Sequence, residues 1–228
     1  MKKGKLIVIE GIDGSGKETQ TNLLINYLNK NKISSALFDF PQYNMSFFGD
    51  FIGRFLNGEF GNISNINPYL AAFPYAGDRW QAKNKIEESL KINKISICNR
   101  YTPSVAYQMA KLTHDGKQNF LAWTEKLEYK IFGIPKEDLV IFLNVPFNFA
   151  YKLIETKAKR NYLKGKLKDQ YEENASYLGQ VEKIYLWLNQ RKKNWVKIDC
   201  IEKGEILSKL AIHQKIISVL KKKGFLPV

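Results

Sequence analysis

The chain runs Gly11-Ile12-Asp13-Gly14-Ser15-Gly16-Lys17-Glu18-Thr19 shortly after an apolar segment, Leu6-Ile7-Val8-Ile9. Apolar residues at helical spacing follow between Thr21 and Leu28. A strand, a glycine-rich turn and a helix in this order predict a phosphate-binding loop, whose backbone N–H groups point at phosphate oxygens. The positive end of the helix and the ammonium group of Lys17 add charge for the outer phosphates. The stretch therefore predicts a binding site for phosphate groups rather than an ordinary glycine-rich turn.

Length and composition predict a single domain over residues 1–228, because a chain of 228 residues that is 44% hydrophobic can bury a substantial core. No apolar run approaches the ~20 residues of a membrane span, and the N-terminus lacks the apolar region of a signal peptide. Cys98 and Cys200 have no metal-ligand spacing, so we expect buried, reduced thiols. These features favour a cytoplasmic protein without a membrane partner.

The net charge of +14 raises the question of a nucleic-acid partner. Lysine is spread along the whole chain, which indicates a compositional bias, and a polyanionic small substrate also requires local positive charge. Because no nucleic-acid-binding motif is present, we expect no nucleic-acid partner. His114 and His213 are the two histidines of the chain, and neither lies near a serine or cysteine motif, so a hydrolytic triad has no support.

Strand-like and helix-like segments alternate along the chain, with no internal repeat. The predicted strands are Lys5–Glu10, Ser35–Phe40, Ile95–Asn99, Leu139–Val145 and Trp195–Asp199. The predicted helices include Ser46–Asn57, Pro68–Asn93, Asn119–Gly133, Phe147–Lys157, Tyr171–Lys193 and Glu205–Lys223. This alternation predicts an α/β fold with a parallel five-stranded sheet flanked by helices. Ligands of such folds bind beyond the carboxyl ends of the strands.

Two local features carry structural predictions of their own. Pro74 interrupts the helix that starts at Asn67-Pro68 and should break or kink it near Tyr75. The result would be either two shorter helices or a kink that aims Tyr75 and Arg79, one turn apart, into a shared cleft. The second feature is a basic segment at about 157–170, which is either a solvated loop or a cationic lid that covers bound phosphates. Its basic residues are Lys157, Lys159, Arg160, Lys164, Lys166 and Lys168.

Several short motifs occur in the order seen in thymidylate kinases, and the chain resembles that family from Lys5 to about Asp199. The motifs are Ile9 to Lys17, Phe40-Pro41-Gln42-Tyr43, Tyr75-Ala76-Gly77-Asp78-Arg79-Trp80, Asn99-Arg100-Tyr101 with Ser104, and Asp138 to Leu143. The resemblance implies a P-loop nucleoside-monophosphate kinase fold with a basic lid, and usually a homodimer. It also implies phosphorylation of dTMP to dTDP, with ATP as the phosphoryl donor and Mg²⁺ as the cofactor.

The resemblance assigns the phosphoryl donor to the loop. The implied ATP-binding residues are Gly11, Ile12, Asp13, Gly14, Ser15, Gly16, Lys17, Glu18 and Thr19. Arg100 should grip the phosphate of the acceptor, for which an arginine fork is suited. Asp13 should face a sugar hydroxyl of the acceptor or the metal. Because the loop itself contains no arginine, Arg160 of the lid inherits the catalytic arginine's role, beside Lys17, Arg100 and Asp13.

The resemblance also assigns the acceptor pocket. Tyr75 should stack on the pyrimidine, and Arg79 should hydrogen-bond its exocyclic oxygen; stacking on an aromatic ring contributes ~1–3 kcal/mol per base. The remaining implied contacts are Phe40 in the pocket wall, the Tyr43 hydroxyl at the acceptor phosphate, Ser104, Tyr107 and Gln108 on the helix after Arg100, and Glu172 after the lid. The spacing leaves open whether Tyr107 or Gln108 faces the ligand.

Three positions depart from the family pattern. Glu18 replaces the loop serine or threonine, Asn99 replaces the aspartate before Arg100, and Gln42 stands where a second phosphate-binding arginine is often found. We therefore expect Glu18 and Asp13 as the metal ligands, with Glu18 either replacing the missing aspartate or pointing to solvent. Other readings are a kinase for a different nucleotide or deoxynucleoside, and a nucleotide-binding protein with impaired catalysis.

Overall fold

The computed structural model describes residues 4–155, 170–171 and 175–227. Its main sheet contains β1 (Lys5–Glu10), β2 (Ser35–Asp39), β3 (Ile95–Asn99), β4 (Leu139–Asn144) and β5 (Trp195–Asp199). Every pairing in this sheet is parallel, in the order β2-β3-β1-β4-β5. The predicted five-stranded parallel sheet is therefore confirmed, with the strand before the phosphate-binding loop at its centre.

Helices alternate with these strands and flank the sheet. They are α1 (Lys17–Lys30), α2 (Phe47–Leu56), α3 (Pro68–Gln81), α4 (Lys83–Lys91), α5 (Ala106–Met109), α6 (His114–Glu125), α7 (Phe147–Glu155), α8 (Ala175–Arg191) and α9 (Lys209–Lys222). Helices α1 and α4 contact β2 and β3, whereas α8 contacts β4 and β5. Within the described ranges, no helix combines the length and apolarity needed to cross a membrane.

The centre of the sheet is an apolar core covered on both faces. Leu6, Ile7, Val8 and Ile9 of β1 are fully buried, and β4 is almost as deeply buried. Continuous apolar runs of this kind are what a parallel sheet between two helical layers requires. The polar residues that follow the strands are consequently left at one edge of the sheet, where their carboxyl ends meet.

Of the break or kink predicted near Tyr75, the break is wrong, because α3 continues across Pro74 to Gln81. Proline removes the N–H that would bond to the carbonyl of Leu70. Leu70 lies on the solvent side of the helix with 71% of its surface exposed, where water can replace the lost bond. The chain instead divides at Ala82, which separates α3 from α4.

Two further segments differ from the sequence-based prediction. Glu205–Ile206 was expected to begin a helix, but it forms a strand that pairs antiparallel with Ile201–Glu202. The helix begins after Ser208, whose side chain accepts the N–H of Ala211 and caps the first turn. The segment after α6 continues as a π-helical turn, Lys126–Ile131, which helical periodicity alone does not distinguish from an α-helix.

Candidate active site

The phosphate-binding loop connects β1 to α1, as the sequence predicts. Gly14 and Gly16 both have positive φ angles, of 82° and 83°, which side chains rarely adopt. A Cβ atom at Gly14 would lie 2.2 Å from the carbonyl oxygen of Ala150, so glycine is also needed there for close packing. Lys17 is nearly buried, and its Nζ donates to the carbonyl oxygens of Gly11 and Ile12 at 3.0 and 2.8 Å. The ammonium group is thereby held over the loop.

A cavity of about 620 Å³ opens beside this loop, at the carboxyl ends of β1, β2 and β3. A cavity of this size is typical of a site for a small organic ligand. It brings together most of the predicted site residues. Those that line it are Asp13, Gly14, Gly16, Lys17, Glu18, Thr19, Phe40, Tyr43, Tyr75, Arg79, Arg100, Ser104, Tyr107 and Gln108.

At the loop end of the cavity, Asp13 lies between Arg100 and Tyr107. The Arg100 guanidinium donates to one carboxylate oxygen of Asp13, and the Tyr107 hydroxyl donates to the other at 2.7 Å. Burial lowers the pKa of Arg100, but the Asp13 carboxylate outweighs this effect and raises it well above its usual value. Arg100 also has a left-handed backbone, with φ of 64°. This fixed, permanently charged guanidinium is suited to bind a phosphate.

Tyr75 and Arg79 line the same cavity from α3. The two nitrogens Nε and Nη2 of Arg79 donate to Glu128 at 2.6 and 2.9 Å. Phe40 also lines this cavity while its ring packs in the core, 5.8 Å from that of Tyr101. An aromatic wall beside a fixed hydrogen-bond donor is suited to a flat, polar-edged ring such as a base.

Asp78 joins α3 to the segment that carries Tyr43. Its carboxylate accepts the backbone N–H of Gln42 at 2.9 Å and the hydroxyl of Ser46 at 2.6 Å. Burial raises the pKa of Asp78, and these two donors oppose the increase. The side-chain amide of Gln42 also donates to Asp78, at 3.3 Å, so Gln42 serves the framework and is not part of the cavity lining.

The helix after Arg100 contributes three side chains to the cavity. Ser104 donates to the buried carboxylate of Glu10 at 2.8 Å, which fixes its hydroxyl. The spacing left open whether Tyr107 or Gln108 faces the ligand. Both residues line the cavity. The Gln108 amide donates to the hydroxyl of Tyr171 at 3.2 Å. Tyr171 also lines the cavity and was not predicted, although it directly precedes Glu172, the position that the family resemblance selected in this segment.

Asp39 is a second residue that the sequence analysis missed. It ends β2, lines the cavity, and accepts the side-chain amide of Asn99 at 2.7 Å. Desolvation raises its pKa, and the nearby carboxylate of Glu18 adds to the increase. A carboxylate at the end of a predicted strand, just before Phe40-Pro41, was the signal that could have identified it.

Other predicted residues lie outside the cavity or outside the described part of the chain. The carbonyl groups of Gly11 and Ile12 hold Lys17, and Ser15 is buried with no hydrogen-bond partner for its Oγ among the described residues. Arg160, Glu172 and nearly all of the proposed lid at 157–170 fall on residues that the structure does not describe. Their roles therefore stay predictions.

A parallel sheet with a phosphate-binding loop after its central strand, facing a cavity lined by two arginines, defines a P-loop nucleotide kinase. Comparison with known proteins narrows this class. The sequence model of the family described as thymidylate kinase matches residues 9–211. The chain belongs to the thymidylate kinase family, and it is an enzyme of the nucleoside-monophosphate kinase class.

Individual relatives agree with this assignment. The chain is 30% identical over 181 residues to a thymidylate kinase of Mycobacterium tuberculosis, covering 79% of this chain and 83% of that protein. It is 33% identical over 169 residues to one of Plasmodium falciparum, with 69% and 74% covered. A solved structure of a Candida albicans thymidylate kinase superimposes with a TM-score of 0.74 at 22% identity, covering 97% and 93%. The predicted family and fold class are confirmed.

Proposed function

We propose that this cavity is the acceptor site of a reaction that transfers the γ-phosphoryl group of ATP to dTMP. Membership of the thymidylate kinase family supports the reaction, which yields dTDP. The observation that carries the site assignment is that one cavity is lined both by Lys17 and Arg100 and by Tyr75 and Arg79. A nucleoside monophosphate presents matching groups, an anionic phosphate and a flat neutral base.

The loop end holds the two phosphate groups that react. The amides of the loop and Lys17 bind the phosphates of ATP, and Arg100 binds the phosphate of dTMP together with the Tyr43 hydroxyl. Asp13 orients Arg100 through their direct hydrogen bond and faces the sugar of the acceptor. Phosphoryl transfer needs positioning and neutralisation of charge more than a nucleophilic side chain, and this arrangement supplies both. Arg160 would add a further cation from the lid.

The opposite end of the cavity holds the base. Tyr75 stacks on the pyrimidine, Phe40 closes the wall behind it, and Arg79 donates to the exocyclic oxygen. Ser104, Tyr107 and Gln108 form the neighbouring wall, and Glu172 stays a predicted contact of the nucleotide. The hydrogen bonds that Ser104 donates to Glu10 and Gln108 donates to Tyr171 keep the polar groups of this wall in place.

Magnesium fits the loop end of the cavity as an ion carried chiefly by the nucleotide. Asp13, Glu18 and Asp39 line the same cavity, yet within the described ranges no three acidic, histidine or cysteine side chains form a closed metal cluster. Mg²⁺ prefers one or two carboxylates together with substrate phosphates and water, which matches this donor set. We assign Glu18 and Asp13 as its protein ligands, directly or through water. Bound magnesium would offset the negative charge of the phosphates.

We also propose that the enzyme acts in the cytoplasm as a homodimer. Both cysteines are buried and free, which suits a reducing compartment. The support for a dimer is the family resemblance together with an apolar stripe on α3. Leu70, Phe73 and Trp80 lie on one face of that helix, and each is 46% exposed or more.

An assay of ATP consumption with magnesium and a panel of nucleoside monophosphates tests the reaction. We expect dTMP to have the highest kcat/KM of the panel. Lys17→Ala should lower kcat at least about 100-fold, because a cationic contact to the transferring phosphoryl group contributes several kcal/mol in the transition state. Lys5→Ala is the matched control, since Lys5 pairs with Asp138 in a partly exposed salt bridge away from the cavity. Near-parental turnover in folded Lys17→Ala would refute the loop assignment.

A further inference from the structure

The ion pair between Arg79 and Glu128 is almost completely buried beside the cavity that Arg79 lines. The exposed fractions of the two side chains are 3% and 2%. Both oxygens of Glu128 accept a hydrogen bond from Arg79, at 2.6 and 2.9 Å, so the plane of the guanidinium is fixed as well as its position. Two of the five N–H groups of Arg79 are used in this pair, which leaves donors for the cavity that Arg79 lines.

Glu128 reaches Arg79 from an irregular part of the backbone. It lies in the π-helical turn Lys126–Ile131, which follows α6 directly, and it is the buried residue of that turn. π-Helical turns cost backbone energy and occur frequently at functional sites. The turn delivers a carboxylate to a residue 49 positions earlier in the chain. A buried carboxylate on such a turn requires a reason, and its partner in the cavity supplies one.

The pair also changes which ligand Arg79 can bind. A guanidinium without a carboxylate partner is an anion site, and its preferred ligands are phosphate and carboxylate. The pyrimidine base is neutral, whereas the other end of the same ligand is a phosphate. Direct pairing with Glu128 cancels the charge of Arg79, and the adjacent Asp78 adds further negative potential. These carboxylates raise the pKa of Arg79 despite its burial, so the donors remain protonated.

We propose that Glu128 is a positioning residue that makes Arg79 specific for the neutral base. It fixes the guanidinium for hydrogen bonding and cancels its charge, so that the acceptor's phosphate goes to Arg100 and not to Arg79. The proposal rests on the assignment of Arg79 to the base made above. Glu128 itself does not line the cavity, so it acts through Arg79.

Glu128→Gln tests the proposal, because it keeps the side chain's size and removes its charge. We expect the KM for dTMP to rise about 10-fold or more, the effect of losing one charge-assisted hydrogen bond, while the KM for ATP stays unchanged. Inorganic phosphate should become a competitive inhibitor with respect to dTMP at concentrations that leave the parent unaffected. Glu137→Gln is the matched control, since Glu137 is also buried nearby but pairs with Tyr129. It should behave as the parent does.

Glu128→Asp separates the effect of the negative charge from the effect of the hydrogen-bond geometry. It also provides the test if Glu128→Gln does not fold. It keeps the negative charge but is one methylene shorter, so it should raise the KM for dTMP without creating inhibition by phosphate. A parental KM for dTMP in folded Glu128→Gln or Glu128→Asp would overturn the proposal. So would equal phosphate inhibition in Glu128→Gln and the parent.

Arg79→Ala distinguishes failure of this proposal from failure of the site assignment. If Arg79→Ala raises the KM for dTMP while the Glu128 variants do not, the positioning role of Glu128 is wrong and the base pocket stands. If Arg79→Ala also leaves the KM for dTMP at the parental value, the assignment of Arg79 to the base is wrong, and the proposal for Glu128 is overturned with it.

Discussion

Two asparagine–aspartate pairs terminate the outer strands of the sheet. Asn99 of β3 donates to Asp39 of β2, and Asn144 of β4 donates to Asp199 of β5, in both cases at 2.7 Å. The two pairs occupy equivalent positions in the parallel register. Their surroundings differ, because Asp39 lines the cavity with Glu18 nearby, whereas Asp199 also pairs with Lys197 at 2.9 Å.

The two aspartates should therefore have opposite effects on stability. Desolvation raises the pKa of Asp39 above its ordinary value of 3.8. The contribution of Asp39 to the free energy of unfolding is therefore present below that pH and is lost as the pH rises through the folded pKa. Asp39→Asn should accordingly increase the free energy of unfolding at pH 7. The gain should shrink as the pH falls towards 4. Urea unfolding at several pH values measures it.

Asp199→Asn is the matched comparison. Desolvation raises the pKa of Asp199, but the hydrogen bonds from Lys197 and Asn144 outweigh it and the pKa is lowered below 3.8. The contribution of Asp199 to the free energy of unfolding is present above pH 3.8 and is lost as the pH falls through the folded pKa. Asp199→Asn should therefore lower the free energy of unfolding at pH 7. A loss of stability in Asp39→Asn equal to that in Asp199→Asn would contradict the prediction.

At the scale of single residues, the sequence identifies what local motifs carry. The phosphate-binding loop, Arg100 and Arg79 were all predicted, because each belongs to a short pattern. Glu128 and Asp39 were not, since their importance arises from contacts to residues 49 and 60 positions away. Asn99 alone indicates that the family's aspartate before Arg100 is missing. Only the fold shows that Asp39 places a carboxylate beside Asn99.

Among the elements, α2 and α3 are joined by a polar contact that also organises the acceptor pocket. Ser46 caps α2 by accepting the N–H of Gly49 at 2.8 Å and donates its own proton to Asp78 at 2.6 Å. Asp78 in turn holds the backbone of Gln42, next to Tyr43 of the cavity wall. The cap of one helix is therefore connected to the position of a binding residue.

Ser46→Ala should lower the free energy of unfolding by about 1–2 kcal/mol, since it removes a helix cap and a hydrogen bond to a buried carboxylate. It should also raise the KM for dTMP, because Asp78 loses a donor that fixes the segment around Tyr43. Ser208→Ala is the control: Ser208 caps α9 in the same way but is exposed, and its loss should cost about 1 kcal/mol without changing the KM. A parental KM for dTMP in Ser46→Ala would show that the cap of α2 does not influence the acceptor pocket.

Element type was predicted well from periodicity, whereas some boundaries were not. The strands end within one residue of their predicted limits, because their apolar runs are continuous. Helix α3 passes through Pro74, since tertiary packing on α2 and α5 outweighs the lost hydrogen bond. The hairpin before α9 and the π-helical turn after α6 are too short to produce a periodic signal.

For the molecule as a whole, the two faces of α3 connect the acceptor pocket with the proposed dimer interface. Tyr75 and Arg79 occupy one side of the helix, and Leu70, Phe73 and Trp80 occupy the other. The rings of Phe73 and Trp80 lie 6.1 and 5.9 Å from that of Phe132, which extends the apolar surface. Contiguous apolar surface of this kind marks a contact site for another protein.

Leu70→Glu should convert the proposed dimer to a monomer, because it places a charge on the apolar face of α3, where the charge would lose its hydration in the interface. Sedimentation velocity over a range of protein concentrations measures the change. Leu210→Glu is the control, since Leu210 is similarly exposed, at 64% against 71%, but lies on α9, away from α3. It should leave the sedimentation unchanged.

The same variant tests whether dimerisation supports the pocket. Because α3 carries the base-binding residues on its inner face, a monomeric Leu70→Glu should show a higher KM for dTMP and a parental KM for ATP, whose phosphates bind at the loop after β1. A parent that sediments as a monomer at every concentration would exclude this interface. If Leu70→Glu is monomeric with a parental KM for dTMP, the dimer contributes nothing to the pocket, and contacts within the chain, including those with α2 and α5, are sufficient to hold α3 in place.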